Sequence, residues 1–384
     1  MLAPDLAPRA ARRGRLNLLD ALRFCAALAV VAYHFTTYPY QWGWDARPVT
    51  IFGPLTMVTG YGYLGVYLFF IISGFVIMMS AWGRTTGQFV ASRLARLFPA
   101  YWVAVPLAGI VAVLIIDGRV TADNLRTTAV NMTMLNKPFG VPYVDGVYWT
   151  LWVELCFYLI VGILIVTGLT YRKVLALAAL WPLLAILVKA GNKQFAEILQ
   201  PDFAPLFAGG IALYLLYAHG HTLLHWMILG VNAVLAANNA ALTASWVHDS
   251  TGARLSGAVA FCVILAFFAA VAIATLTPAR TWTGTAGTSL GRLTYPLYLV
   301  HVYPGLIVIH YTQDILGTWG ALALGIAVAI TLAWLVNRFV ERPFASRMRA
   351  RIERTFDRSK ATGPVNPVTD LQRGPGDEPA VKGP

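Results

Sequence analysis

Two ionisable side chains stand in a stretch whose neighbours are almost all apolar. The run "LDALRFCAALAVVAYHF", residues 19–35, contains Arg23 and His34 eleven positions apart. On a helix that spacing returns to nearly the same face after about three turns, roughly 16 Å along the axis. A guanidinium inside a membrane span costs about 2.5 to 3.5 kcal/mol on insertion scales, so the stripe must face protein, water or the headgroups. Its planar fork suits phosphate. An imidazole with an ordinary pKa of about 6.5 can accept a hydroxyl proton at neutral pH. In isolation the pair equally fits a snorkelling arginine and an interfacial histidine.

Four further segments add candidates. "SRLARLFPAYW" carries Arg93 and Arg96 three apart on one helix face, a phosphate-binding spacing that a basic membrane flank shares. "GVYWTLWVELCFYL" places Trp149 and Trp152 at an interface and Glu154 one to two turns deeper, near the depth expected for His34. A carboxylate there calls for a neighbouring histidine or arginine. "SLGRLTYPLYLVH" repeats Tyr295, Tyr298 and His301 every three residues, along one side of a helix. "NRFVERPF" sets Glu341 and Arg342 before Pro343, which reads as a helix stop with a local charge pair.

The elements that must position these residues follow from composition. The 384 residues are 58% hydrophobic and 12% charged, against about a quarter charged in soluble domains, and mean hydropathy is +0.64. The expected class is all-α, a polytopic integral membrane protein with about ten transmembrane helices. They fall near 19–37, 61–80, 97–116, 147–168, 173–190, 203–218, 222–242, 256–277, 294–311 and 318–338. Basic residues concentrate in alternate connections: Arg9, Arg12, Arg13 and Arg15, then Arg84, Arg93 and Arg96, then Arg172 and Lys173, then Arg280 and Arg292, then Arg338 onward. That bias predicts both termini in the cytoplasm. It also accounts for most of the net charge of +12, so no nucleic-acid partner is expected. The first run lacks a small-x-small cleavage site and reads as an uncleaved span. The expected organisation is a basic cytoplasmic arm at 1–17, a membrane domain at 18–344 and a cytoplasmic, largely disordered tail at 345–384. Cys25, Cys156 and Cys262 read as buried small hydrophobes, and neither a Walker loop nor an HExxH motif is present.

Taken in order, the segments resemble the acyltransferase 3 family of integral-membrane O-acyltransferases, from Leu18 to about Phe344. Its Arg-x10-His signature corresponds to Arg23 and His34, and its Ser-Gly-Phe segment to Ser73, Gly74 and Phe75. Its Arg-x-x-Arg pair corresponds to Arg93 and Arg96. Its Trp-Ser-Leu-x-x-Glu element appears as Trp149, Thr150, Leu151 and Glu154, with threonine in place of serine. The Tyr-x-x-Tyr-Leu-x-His segment and the closing Glu-Arg-Pro match Tyr295 to His301 and Glu341 to Pro343. The resemblance implies transfer of an acyl group, commonly acetyl from acetyl-CoA, to a hydroxyl of a carbohydrate or another small acceptor. The standalone form, without a fused esterase-like domain, is expected.

On that basis Arg23, Arg93 and Arg96 would hold acyl-CoA, and His34 would act as general base with Glu154 orienting it. Ser73, Trp149, Tyr295, Tyr298 and His301 would line the channel or bind substrate. No metal is expected. The expected setting is a bacterial cytoplasmic (inner) membrane, with self-association left open. Two rival readings remain: acylation of a cytosolic small molecule such as a macrolide-type antibiotic, and a transporter or flippase of a lipid-linked sugar.

Overall fold

In hydrocarbon a backbone must satisfy its own hydrogen bonds, which leaves a chain this apolar little choice but helix. A computed structural model describes residues 16–40, 42–113, 118–282 and 285–361. Arg9, Arg12, Arg13 and Arg15 of the basic arm, and the tail beyond 361, lie outside the described residues.

Helix α1 spans Asn17–Thr36. A nearly continuous helical path then runs from Pro48 to Ala81: α2 (Pro48–Phe52), a 3-10 turn, α3 (Thr56–Thr59), a second 3-10 turn and α4 (Gly65–Ala81). It is followed by α5 (Thr86–Val111), α6 (Ala122–Asn131), α7 (Trp149–Val166), α8 (Tyr171–Gly191) and the short α9 (Lys193–Leu199). Next come α10 (Ala204–His219), α11 (Leu223–Thr251) and α12 (Gly257–Leu276). The last three are α13 (Thr285–Val300), α14 (Val302–Val336) and α15 (Arg342–Ala361). Thr85, Thr121, Thr170 and Thr222 cap α5, α6, α8 and α11 by accepting a free N–H of the first turn.

Among the described residues there is no strand, and nine helical stretches are long and apolar enough to cross a membrane. The expected ninth span, 294–311, accounts for the difference: it breaks at His301, leaving α13 at 16 residues and starting α14 directly afterwards. α14 turns in its middle at Gly317, whose φ of +64° lies in the left-handed region that glycine tolerates. Outward-facing Leu187, Leu223 and Ile315 are more than 70% exposed, as flanks in contact with lipid would be. Cys156 is buried, whereas Cys25 and Cys262 are exposed rather than interior. An apolar membrane surround suits a thiol as well as a protein core does.

The closing Glu-Arg-Pro is not a terminus. A π-helical turn, Asn337–Glu341, leads without a break into α15, whose second residue is Pro343. Asn337 Nδ2 donates to Glu341 Oε2 (2.7 Å) and to the Arg292 carbonyl (3.2 Å), while Arg342 Nε donates to Asn337 Oδ1 (3.1 Å). These bonds tie the start of α15 to α13, and α15 packs along α5. The chain expected to be largely disordered from 345 is therefore helical as far as Ala361.

The bundle centre is α4 against α10, with α1 against both α4 and α13. Gly74 and Gly210 allow the first contact. A Cβ on Gly74 would lie 2.2 Å from the Phe207 carbonyl oxygen, and one on Gly210 would lie 2.1 Å from that of Ile71. Small residues that let backbones touch are a main source of helix association in membranes. Gly210→Val should therefore force α4 and α10 apart, costing about 1 to 3 kcal/mol. Thermal unfolding of the purified protein in detergent should show a lowered midpoint, while Gly162→Ala, at a glycine with open space around it, should leave the midpoint near wild type.

Candidate active site

A cavity with about 890 Å³ of empty space, its opening included, lies among α1, α4, α5, α7 and α13. Arg23 reaches it from α1 and Ser73 from α4. Arg93 and Arg96 reach it from α5, Thr150, Glu154 and Tyr158 from α7, and Tyr295 and Tyr298 from α13. Three guanidiniums thus share the lining with one carboxylate, and the space favours an anion.

Arg93, Arg23 and Glu154 are each held by near neighbours, whereas Arg96 is exposed. Arg93 donates from Nη2 to Ser80 Oγ (3.1 Å) and from Nε to Ser92 Oγ (3.2 Å), with the rings of Phe89 and Tyr158 each 5.7 Å away. Arg23 pairs with Asp20, one turn earlier on α1, at 3.8 Å. Arg96 is within electrostatic reach of Glu154 and Glu341. Glu154 Oε1 accepts from the Tyr158 hydroxyl at 2.7 Å and from Ser73 Oγ at 3.4 Å. Tyr295 donates to the Leu97 carbonyl at 2.9 Å, fixing α13 to α5 beside the arginines.

His34 does not line this cavity, and its ring is oriented by a different group from the one expected. His34 Nδ1 lies 2.9 Å from His301 Nε2, and His301 Nδ1 lies 2.9 Å and 3.1 Å from the carbonyl oxygens of Tyr298 and Leu297. Glu154 is engaged by Tyr158 and Ser73 instead. The helix break places His301 where it can meet α1, and Gly305 lets α14 approach: a Cβ there would lie 2.2 Å from the Phe35 ring. Tyr298 stands between cavity and histidine pair. It lines the cavity, its ring is 6.0 Å from that of His301, and its hydroxyl donates to the Val147 carbonyl at 2.8 Å. Beyond His34 the rings of Tyr38 and Tyr40 lie about 6 Å away, and Tyr40 leads to Trp42, stacked on Tyr303 at 4.7 Å.

Trp149, expected at the channel, points elsewhere. Its ring packs by Phe70 and Phe203 and lines a separate groove with Lys137, Glu197 and Asp202. Thr150, one position on, faces the cavity in its place and donates to the Tyr298 hydroxyl at 2.9 Å. Tyr158 is the site residue that sequence reading passed over; its signal was the i,i+4 spacing from Glu154.

The model of the family described as "Acyltransferase domain", the acyltransferase 3 family, matches residues 16–338. The chain belongs to that family. It is a multi-pass membrane acyltransferase. It is similar to a protein of Acidianus two-tailed virus named as an acetyltransferase, with 22% identity over 83% of this chain and 89% of the relative. Nodulation protein 10 of Rhizobium leguminosarum bv. viciae is 25% identical over 59% of this chain and 71% of its own. The acyltransferase MdmB of Streptomyces mycarofaciens is 29% identical over 38% of each. No solved structure matches the chain.

At the edge of the site, just before α7, Asp145 is 2% exposed and accepts the Val147 N–H at 3.1 Å. Burial pushes its carboxyl up to about 7, partly offset by that N–H. Held above its unfolded value of about 3.9, the group binds its proton more tightly in the folded state. Its contribution to stability is therefore complete below about pH 4, declines as pH rises toward 7 and is absent above. Thermal midpoints measured from pH 5 to 8 should fall with that sign in wild type. Asp145→Asn, which keeps the capping oxygen but does not titrate, should flatten this part of the slope.

Proposed function

We propose that this acyltransferase moves an acyl group, in the simplest case acetyl, from acyl-CoA to a hydroxyl of a carbohydrate. The observation that carries the reading is the division of α1: Arg23 looks into a cationic cavity, and His34, on the same face, lies past Tyr298 among aromatic rings. The phosphates of the donor are held by Arg93, Arg96 and Arg23, whose forks suit them. The pantetheine arm then extends along the cavity toward Tyr298 and brings the thioester to His34. With the positive-inside orientation in a bacterial cytoplasmic membrane, the arginine end faces the cytosol that supplies CoA.

His34 accepts the proton of the acceptor hydroxyl while its oxygen bonds to the thioester carbonyl carbon. The carbon–sulfur bond breaks, and the departing sulfur takes the proton back from the imidazolium. Tyr158 and Ser73 hold Glu154 in place, where its charge keeps the arginines from repelling one another. The half-buried rings of Tyr38, Tyr40 and Trp42 offer faces on which a sugar ring stacks.

Purified protein in nanodiscs, given acetyl-CoA and a panel of sugars and other hydroxyl compounds, should release free CoA thiol with at least one carbohydrate. His34→Ala should lower kcat by about 10² to 10⁴, the range of general-base catalysis. Arg96→Gln should instead raise KM for acetyl-CoA about tenfold to a hundredfold, as expected for a lost charge-assisted hydrogen bond. Thiol release unaffected by His34→Ala would overturn the assignment of the base. Release only with non-carbohydrate acceptors would overturn the acceptor class.

A further inference from the structure

A histidine serves as base only if the nitrogen facing the substrate carries a lone pair, and the protons around His34 and His301 can be counted. Backbone carbonyls only accept, so His301 Nδ1, set between those of Tyr298 and Leu297, carries a hydrogen. In the neutral ring His301 Nε2 is then bare. It faces His34 Nδ1 at 2.9 Å, and a hydrogen bond between two ring nitrogens needs one proton, which must sit on His34 Nδ1. The Val30 carbonyl, one turn earlier on α1, is also an acceptor within reach of the His34 ring; with the proton on Nδ1, His34 Nε2 keeps its lone pair.

We propose that His301 is a positioning residue that locks His34 in the Nδ1–H tautomer, so that Nε2 is the atom that accepts the substrate proton. The inference rests on the reading of His34 as the base. It gives the bare, fully buried His301 Nε2 a second use: as His34 becomes an imidazolium, its Nδ1–H donates a stronger, charge-assisted bond to that nitrogen. The two carbonyls behind His301 hold the relay in one direction. This is the task a carboxylate performs in serine-hydrolase triads, carried out here by a neutral ring anchored to the backbone of α13. A neutral partner avoids placing another charge in a low-dielectric region. The break between α13 and α14 is thereby explained, since it sets His301 at the junction beside α1.

The test reads the tautomer directly. In protein labelled with carbon-13 and nitrogen-15 histidine and held in lipid at about pH 8, solid-state NMR correlations between ring nitrogens and ring carbons distinguish the two tautomers. The His34 signals are identified by their loss in His34→Gln. They should show a protonated Nδ1 and a bare Nε2, with a through-hydrogen-bond correlation to His301. His301→Phe should allow the opposite tautomer and lower kcat about tenfold to a hundredfold, with KM for acetyl-CoA within about twofold. His301→Gln, whose amide oxygen can accept from His34, should recover part of the loss. A bare His34 Nδ1 in wild type would overturn the proposal even if His34→Ala abolishes turnover. Unchanged His34 signals and kcat in His301→Phe would do the same. If His301→Phe does not fold, the wild-type spectrum alone decides. The identity of the base is tested separately by His34→Ala.

Discussion

Three guanidinium groups held between apolar helices set the terms for what surrounds them. Their partners come largely from other helices: Ser80 on α4 and Tyr158 on α7 for Arg93, and Glu154 on α7 and Glu341 before α15 within electrostatic reach of Arg96, while Asp20 serves Arg23 within α1. A helix that supplies such a partner is fixed in rotation and depth as well as packed. Helix–helix affinity in a bilayer lacks the hydrophobic driving force available in water, so polar contacts of this kind carry specificity that apolar packing does not. The same residues that would meet an anionic donor therefore also specify how the bundle goes together.

The histidine pair shows a second way of managing polarity. It uses no formal charge: two imidazoles and two backbone carbonyls form a chain in which each donor has an acceptor. Buried polar networks are stable when every member is satisfied and costly otherwise. Tyr298 joins the two systems, lining the cationic cavity on one side and contributing its carbonyl to His301 on the other.

Much of this was legible in sequence because charge in an apolar run is conspicuous. Arg23, Arg93, Arg96 and Glu154 stand out by cost alone, and the structure brings all four to one cavity. Tyr158 and Thr150 did not stand out: a neutral hydroxyl in a helix costs little and looks like packing. The partner of His34 was out of reach for another reason. Spacing along a helix orders residues on its own face, but His301 lies 267 positions away, and nothing in one dimension chooses between it and Glu154. The break at His301 was hidden as well, since hydropathy runs smoothly across it. A motif names Trp149 together with Thr150 and Glu154, although consecutive helix residues point about 100° apart.

The contact between Gly74 and Gly210 has a bearing on reactivity. Ser73 immediately precedes Gly74, and its hydroxyl is one of the two donors to Glu154. With backbone meeting backbone, α4 has no compliant side-chain layer on that flank to absorb a shift of α10. The floor of the cavity is thus indexed to a helix that contributes no side chain to it. Sites of variation on α10 can change the alignment of Glu154 while leaving every residue in the cavity as it was, so in such a bundle the reach of the cavity extends one helix further than its lining.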